Sequence, residues 1–289
     1  NHDGAIEGEA MTSSMLTQAQ LDQYEHDGFL APIQVFDDYD AALLRRQLEG
    51  LEARVAGDPA REAAIKNTSN WVVPWFDDLV RTPAIVDRAA QILGPDVLAL
   101  SVDLFTKEPL SPGYVSWHQD LHYWGLDSDC EVTAWLALSP ANERSGGMRF
   151  IPGSHKTVAE HRDTFATENM LSRGQELATE IDESEAVVAE LEPGQMSFHH
   201  GLVFHASGEN KSLDRRIGIA IRYISTAVGL AGNGAKPGAS LVRGEDQHGH
   251  FELVDAPRKE FEPRAMLNWR RLRAIEESIL YSGVDRAAS

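Results

Sequence analysis

The tetrapeptide Trp117-His118-Gln119-Asp120 places an imidazole and a carboxylate two positions apart. Side chains two residues apart in a β-strand lie on the same face, so His118 and Asp120 would point the same way. Together they would offer a metal ion one nitrogen and one oxygen ligand. A His-x-Asp pair is also common by chance, and its alternative interpretation is a hydrogen-bonded pair on the protein surface.

A third metal ligand has to come from elsewhere in the chain. The candidate histidines are His122, His155, His161, His199, His200 and His205. His205 is favoured because it would share a strand face with Ser207, ahead of a polar, turn-forming stretch and a second strand-like run. His199 and His200 are neighbours, so on a strand they face opposite ways. At most one of them can approach the metal, and a structural role for both is preferred.

The strand-like run over residues 215–225 has two different faces. One face would carry Arg216, Gly218, Ala220 and Arg222, and the other Ile217, Ile219, Ile221 and Tyr223. An arginine followed by glycine and alanine indicates a pocket with space left in it, whereas the isoleucine face would pack against helices. The Arg216 guanidinium can hold a carboxylate through two parallel hydrogen bonds, and Ser207 can add a donor. The alternative for Arg216 is a surface salt bridge.

Two histidines and one carboxylate on one side of a metal leave coordination positions open. This arrangement suits iron(II) enzymes that bind a co-substrate and then O2, and Arg216 would anchor the co-substrate. Two other classes of protein stay open at this point. One is a cupin-type isomerase or hydrolase that uses another divalent metal and does not need Arg216. The other is a non-catalytic jelly-roll binding module.

Helices must help to position these residues. Helical spacing together with start and stop signals predicts four helices, over residues 17–28, 38–55, 83–93 and 264–281. The third helix has the clearest boundaries, because Thr82 is the expected cap, Pro83 suits the first helical position and Gly94 ends it.

Short strands are expected to carry the candidate ligands. From about residue 97, β-branched and aromatic runs alternate with clusters of glycine, proline, asparagine and serine, which is typical of an antiparallel sandwich or barrel. The polar stretch over residues 156–186 is a candidate insertion or lid over a site. The glycine-rich stretch over residues 226–263 is predicted to be a long loop.

The composition limits the possible partners. The chain has 289 residues, of which 42% are hydrophobic, and this is enough for one large domain. The formal net charge of −19 disfavours binding to nucleic acid. No apolar run approaches the roughly 20 residues of a membrane span, so no membrane partner is expected. The single cysteine, Cys130, fits a reducing compartment, and the cytoplasm is the expected location.

The domain boundaries follow from the patterned part of the chain. Residues 1–10 precede Met11 without any pattern and are interpreted as a cloning remnant or a disordered tail. Residues 11–289 are predicted to form a single domain. The sequence carries no signal for an oligomeric state.

Three motifs taken together resemble the phytanoyl-CoA dioxygenase family, and in particular its bacterial small-molecule branch. They are HQD at 118–120, VTAWLALSPANERSGGMRFIPGSH at 132–155 and HASGENKSLDRRIGIAIRY at 205–223. The resemblance extends from about residue 16 to about residue 225. It implies a mainly β fold with flanking helices, built on a double-stranded β-helix (jelly-roll, cupin-like) core. It also implies iron(II), 2-oxoglutarate and O2.

The resemblance assigns roles to individual residues. Its metal ligands fall on His118, Asp120 and His205, and its anchor for the distal carboxylate of 2-oxoglutarate falls on Arg216. Ser207 would assist this anchor, while Trp135 and Thr133 would line the same pocket. Trp135 has the alternative of an ordinary core residue.

The implied reaction is hydroxylation of an unactivated C–H bond with release of succinate and CO2. Halogenases of the same branch resemble this chain but carry alanine or glycine at the position of Asp120, so its presence favours hydroxylation. No basic patch suits the phosphates of coenzyme A, and the expected substrate is a small polar metabolite: an amino acid, an aminophosphonate or a natural-product intermediate. The candidate substrate contacts are His122, Tyr123, Trp124, Asn70, Arg222 and Arg243. For Asn70 an ordinary surface loop is the favoured alternative, and Arg222 could equally form an ion pair outside the barrel.

Overall fold

Six helices surround the strands of the computed structural model, which describes residues 15–232, 234 and 236–282. They are α1 (Gln18–Asp27), α2 (Asp38–Val55), α3 (Pro59–Lys66), α4 (Pro74–Val80), α5 (Pro83–Leu93) and α6 (Pro263–Leu280). The four predicted helices are confirmed as α1, α2, α5 and α6, whereas α3 and α4 were not predicted. The α1 boundaries follow from a capping box between Thr17 and Gln20 and from Gly28 in the left-handed region.

Thirteen strands form the rest of the described architecture. They are β1 (Phe29–Gln34), β2 (Val97–Lys107), β3 (Val115–His118), β4 (Glu131–Ala137), β5 (Met148–Phe150), β6 (His161–Asp163), β7 (Gln175–Leu177), β8 (Val187–Val188), β9 (Gln195–His199), β10 (His205–Ser207), β11 (Arg216–Ser225), β12 (Gly238–Arg243) and β13 (Glu252–Leu253). A major sheet has the order β1-β9-β4-β11-β2-β12-β13, and a minor sheet has the order β3-β10-β5-β8. Almost every pairing is antiparallel, and a separate hairpin joins β6 to β7. The predicted mainly β fold with flanking helices is confirmed.

The two faces of β11 meet different surroundings. Ile217, Ile219 and Ile221 are fully buried in a core cluster that also contains Leu48 of α2 and Trp269 of α6. The prediction that this face packs against helices is therefore confirmed. The opposite face is turned toward the space between the two sheets, where the candidate ligands lie. Burial of the isoleucine face fixes the register of β11, since a shift by one residue would exchange the two faces.

Three details differ from the sequence expectations. Thr82 stands at the start of α5, but its hydroxyl donates to the carbonyl of Asp78 instead of capping the helix. The predicted loop over 226–263 contains β12, which extends the major sheet beside β2. Its six residues, GASLVR, are too few and too weakly patterned to stand out from a glycine-rich stretch. The prediction for residues 1–10 lies outside the described residues.

The candidate insertion over 156–186 contains the β6–β7 hairpin and reaches the cavity described below through residues 170–172 and 175. In the described part of the chain, no helix is long and apolar enough to cross a membrane.

Candidate metal centre and co-substrate pocket

His118 and His205 face each other because their strands are paired. His118 ends β3, His205 begins β10, and the antiparallel register puts the two residues directly opposite each other. Their ring centroids are 4.1 Å apart. The Nδ1–H of His118 donates to the carbonyl of Ser116 at 2.9 Å, and that of His205 donates to the carbonyl of Val203 at 2.9 Å. These bonds fix the orientation of both rings and leave Nε2 as the nitrogen available to a metal.

Asp120 completes the group from a turn and not from the strand. β3 ends at His118, and Asp120 is the first residue of a 3-10 turn that extends to Tyr123. Its Oδ1 lies 3.2 Å from Nε2 of His118 and 4.0 Å from Nε2 of His205. One ligand atom from each of the three residues lies within 4.8 Å of the others. The alternation argument therefore anticipated the shared direction of His118 and Asp120, although it assumed a continuous strand.

The electrostatics of the triad suit a divalent cation. Burial alone would raise the pKa of Asp120, but the Arg222 guanidinium and the two imidazoles outweigh it and hold the pKa below its usual range. Burial and the neighbouring His118 lower the pKa of His205 to about 4. The group therefore contains a carboxylate and a neutral imidazole near neutral pH, which are the protonation states that metal ligands require.

Arg216 lies at the end of the same cavity as a buried cation. It is the first residue of β11 and is 1% exposed. Its guanidinium carbon lies 5.2 Å from the ring centroid of Trp135. Among the described residues, its Nε and Nη2 have no hydrogen-bond partner. An unpaired buried guanidinium is costly unless an anion satisfies its donors, so this end of the cavity fits a carboxylate.

The space predicted beside Gly218 is occupied by an aromatic ring. Trp135 lies on β4, the strand that pairs with β11, and its indole covers Gly218. A Cβ atom on Gly218 would collide with this ring. The glycine therefore makes room for Trp135 beside Arg216 instead of leaving an open pocket. Thr133, on the same strand, lines the cavity and donates its hydroxyl to Oε1 of Glu131 at 2.7 Å.

Lys107 is a further polar residue at this end that the sequence interpretation missed. It is 1% exposed and pairs with Arg216 in the β2–β11 register. Its Nζ donates to Oγ of Ser207 at 2.7 Å. Burial and the adjacent Arg216 lower the pKa of Lys107 to about 6. No spacing in the sequence could have indicated this residue, because only the pairing of two distant strands brings it to Ser207.

His199 is the second residue that the sequence interpretation undervalued. It lines the cavity, and its ring centroid is 4.9 Å from that of His205. His200 points the other way, toward His155 at a centroid distance of 5.4 Å. The two neighbours thus face opposite sides, as predicted, but His199 belongs to the wall of the candidate site.

Two cavities meet at the candidate metal ligands. The inner cavity, of about 40 Å³, is enclosed by both sheets and contains the triad together with Arg216, Ser207, Trp135 and Thr133. The outer cavity, of about 500 Å³, shares His118, Asp120 and Arg222 with the inner one and extends to the C-terminal half of α6. The outer cavity has the size of a small-molecule site, and the inner cavity is a small recess at the triad that extends toward Arg216.

The candidate substrate contacts divide into two groups. Tyr123, Trp124 and Arg222 line the outer cavity. The other three, His122, Asn70 and Arg243, are not among the residues that line either cavity.

Each of these three residues has its own structural environment. His122 stacks on His161 with ring centroids 4.2 Å apart. The Asn70 amide is buried and donates to Oγ of Ser240 at 3.0 Å. Arg243 ends the short strand β12 and forms a partly exposed ion pair with Asp87 of α5. The structure does not bring any of the three to the walls of the cavities.

The family profile named phytanoyl-CoA dioxygenase (PhyH) matches residues 24–218, which is more than half of the chain. The chain belongs to this family. It is also 32% identical over 168 residues to the ectoine dioxygenase of Streptomyces avermitilis, an alignment that covers 54% of this chain and 57% of that protein. The aligned part thus spans little more than half the length of this relative.

Solved structures support the same family and fold. The apo structure of ThoJ, described as a non-heme monooxygenase, is 31% identical with a TM-score of 0.80, and the match covers 90% of this chain and 96% of ThoJ. A structure of CytC3 with Fe(II) and alpha-ketoglutarate (2-oxoglutarate) matches 87% of this chain and 97% of CytC3 at a TM-score of 0.63 and 20% identity, which shows the fold alone. The family and the fold expected from the sequence are confirmed, and these names agree with the expected enzyme class and cofactors.

Proposed function

We propose that this protein is an Fe(II)- and 2-oxoglutarate-dependent dioxygenase that hydroxylates an unactivated C–H bond of a small molecule and releases succinate and CO2. The observation that carries the proposal is the convergence of His118, Asp120 and His205 in a cavity that ends at the unpaired guanidinium of Arg216. Two imidazoles and one carboxylate leave positions open on the metal. The buried guanidinium requires an anion that the described part of the chain does not supply.

The residues of the inner cavity divide into a metal-binding and a co-substrate-binding set. His118, Asp120 and His205 would hold the iron, which with 2-oxoglutarate and O2 supplies the oxidising chemistry. Arg216 would form two parallel hydrogen bonds with the distal carboxylate of 2-oxoglutarate. Ser207 would donate to the same carboxylate, its oxygen being held by Lys107.

The aromatic and polar walls of the inner cavity would complete the pocket. The Trp135 indole covers the guanidinium of Arg216 and excludes water from it. This exclusion strengthens the charge pair, since fewer water molecules compete for its hydrogen bonds. Thr133 would line the same pocket and is oriented by Glu131.

The outer cavity supports a substrate larger than a simple amino acid. Its volume of about 500 Å³ falls within the range of roughly 300–1,000 Å³ that is usual for pockets that bind drug-sized ligands. Its walls combine apolar side chains such as Leu280 and Phe251 with ionisable groups such as Asp103 and Glu276. Among the three classes of small polar metabolite expected from the sequence, these features favour an amphipathic natural-product intermediate over an amino acid or an aminophosphonate.

Hydroxylation is favoured over halogenation because Asp120 is present and faces both imidazoles. The proposal includes one catalytic domain over residues 11–289, with a jelly-roll core, acting on a small molecule in the cytoplasm. The net charge of −19 supports neither a nucleic acid nor an anionic membrane surface as a partner.

A cupin-type isomerase or hydrolase that uses another metal remains the rival function. Such an enzyme would have no use for a buried, unpaired guanidinium directed into the metal cavity. Nor would a non-catalytic binding module of this fold need both a metal triad and an anion anchor. The unsatisfied donors of Arg216 therefore favour the oxygenase over both rivals.

A metabolite screen tests the proposed function. The protein is supplied with Fe(II), 2-oxoglutarate and O2, and succinate is measured for each compound against a His205→Ala control. We expect at least one amphipathic compound to raise succinate release in the wild-type protein and not in the control. Co(II)-loaded protein without measurable affinity for 2-oxoglutarate would contradict the proposal, whatever the screen contains.

A further inference from the structure

The two carboxylate oxygens of Asp120 face different neighbours. Oδ1 is directed at the imidazole nitrogens, 3.2 Å from His118 and 4.0 Å from His205. Oδ2 lies 3.7 Å from Nε of Arg222, which is an ion-pair distance without a hydrogen bond, and among the described residues this Nε has no hydrogen-bond partner. Only one of the two oxygens therefore lies on the side where a metal would bind, and a guanidinium faces the other.

Arg222 is itself fixed by a second set of contacts. Its Nη1 donates to Oγ of Ser101 at 3.1 Å and to Oδ2 of Asp103. Its guanidinium carbon lies 4.8 Å from the ring centroid of Trp124, and the residue is 8% exposed. Ser101 and Asp103 belong to β2, the strand that pairs with β11, so the contact depends on the sheet register and not on a mobile loop.

We propose that Arg222 is a positioning residue that makes Asp120 a one-oxygen metal ligand, and that Asp103 holds Arg222 in place for this role. The inference rests on the proposed function and goes beyond it. A carboxylate can bind a metal through one oxygen or through both. By retaining Oδ2, Arg222 keeps one more coordination position open for the co-substrate and O2.

This role differs from the direct substrate contact that the sequence predicts for Arg222. Its identified partners are protein groups on both sides: Asp120 toward the metal cavity, and Ser101 and Asp103 toward the outer cavity. Of the neighbouring groups that hold the pKa of Asp120 below its usual range, Arg222 has the largest effect. Arg222 thus stabilises the charged form of Asp120 and directs it.

Calorimetry on Co(II)-loaded protein tests the inference without any substrate. The variants are Arg222→Met, Arg222→Lys and Asp103→Asn, and the measured quantities are the affinities for Co(II) and for 2-oxoglutarate. We expect Arg222→Met to keep measurable Co(II) binding but to weaken 2-oxoglutarate binding by about tenfold or more, because a second bound oxygen of Asp120 would occupy a position that the co-substrate needs. Loss of a residue that orients a metal ligand typically costs 10–100-fold in metal affinity or activity. Arg222→Lys keeps the charge and should lie in between.

The Asp103→Asn variant separates positioning from simple charge effects. Loss of a negative charge near the site would strengthen the binding of anionic 2-oxoglutarate if electrostatics alone governed it. If Asp103 instead holds Arg222 in position, the same substitution weakens that binding. The two explanations thus predict effects of opposite sign for a nearly isosteric change that leaves Arg222 intact.

Infrared spectra of the Co(II) complexes give a direct reading of the ligand. Difference spectra between Co(II)-loaded and metal-free protein, recorded with isotope-labelled aspartate, isolate the carboxylate that binds the metal. Its two stretching frequencies lie far apart for a one-oxygen ligand and close together for a two-oxygen ligand. We expect the wide separation in the wild-type protein and the narrow one in Arg222→Met. Arg88→Met serves as the matched control, because Arg88 is a buried arginine of α5 that donates to the carbonyls of Gln34 and Ala84.

The outcomes are distinguishable. The inference is overturned if Arg222→Met and Asp103→Asn bind 2-oxoglutarate as tightly as the wild type and keep the wide frequency separation. If Arg222→Met does not fold, Arg222→Lys and Asp103→Asn decide the question alone. Wild-type protein that binds neither Co(II) nor 2-oxoglutarate overturns the proposed function and this inference with it.

Discussion

The two cavities that meet at Asp120 are built from different kinds of structure. The inner cavity is formed mainly by paired strands, β3 and β10 on one side and β4, β9 and β11 on the other. The outer cavity combines β2 with a 3-10 turn, with residues 170–172 of the polar insertion and with the end of α6. Strand pairing fixes which side chains lie opposite each other and which face they point to. The sequences of turns and helix ends can vary without changing this pairing. On the proposed function, the chemistry would lie on the rigid part and substrate selectivity on the variable part.

The largest effect is expected from the inner cavity, at Asp120. Asp120→Ala removes the only carboxylate that the triad could offer a metal and should reduce substrate-dependent succinate release to the background rate. The measurement is succinate formed per enzyme, with the Co(II) affinity determined in parallel. Unchanged turnover in this variant would show that Asp120 is not a metal ligand and that the reaction does not take place beside it.

The next largest effect is expected at Arg216. Arg216→Ala removes the guanidinium that would pair with the distal carboxylate, and loss of one partner of a buried charge pair costs about 2–5 kcal/mol. We expect the affinity for 2-oxoglutarate to fall by the corresponding factor while Co(II) still binds, as measured by calorimetry. Arg216→Lys keeps a charge without the planar fork and should recover only part of the loss. Equal affinities in all three proteins would contradict the assignment.

The buried position of Lys107 beside Arg216 should be visible in the way the free energy of unfolding depends on pH. Its pKa is lowered to about 6 in the folded protein by burial and by Arg216, from an ordinary value of 10.5. Between these pH values the unfolded chain binds the extra proton, so the contribution of Lys107 to stability rises with pH, by up to about 1.4 kcal/mol per unit. Lys107→Met should lack this contribution.

The test at Lys107 compares the free energy of unfolding of wild type and Lys107→Met at several pH values. Their difference isolates Lys107 from other titrating groups such as Glu131, whose pKa burial raises to about 8. We expect the difference to diminish when 2-oxoglutarate is present, because an added carboxylate favours the charged lysine. A difference that does not vary with pH would show that Lys107 is charged throughout.

A substitution in the outer cavity should reduce turnover of the substrate without weakening the binding of the metal or of 2-oxoglutarate. Leu280→Trp would place a larger ring in the outer cavity, which Leu280 lines at the end of α6. We expect Co(II) and 2-oxoglutarate affinities within about twofold of wild type, but a loss of the succinate release that an identified substrate stimulates. Both affinities are measured on the same preparation. A parallel loss of co-substrate binding would mean that the two cavities are not separable.

The difference between the cavities also explains which residues could be predicted from the sequence. Strand alternation and short spacings made His118, Asp120 and Arg216 candidates, although Asp120 lies on a turn. Their roles came from the resemblance to the family. Lys107 was missed because its proximity to Ser207 arises from the pairing of β2 with β11, which no local pattern specifies.

Among the candidate substrate contacts, Asn70 and Arg243 were singled out from a polar loop and a glycine-rich stretch, where sequence does not fix direction. The structure puts Asn70 against Ser240 and Arg243 against Asp87. The helices with clear caps were predicted closely, while the short strand β12 was not, because six residues between glycines carry too little periodicity.

The smallest effect is expected at Arg243, which therefore tests the boundary of the outer cavity. Its ion pair with Asp87 is partly exposed, with 44% of the Arg243 side chain accessible. Such surface pairs contribute about 0–1 kcal/mol to stability, so Arg243→Ala should change the free energy of unfolding by no more than this. Turnover of an identified substrate should stay at the wild-type level. A marked rise in the KM of that substrate would instead show that Arg243 contacts the substrate. The outer cavity would then reach the end of β12.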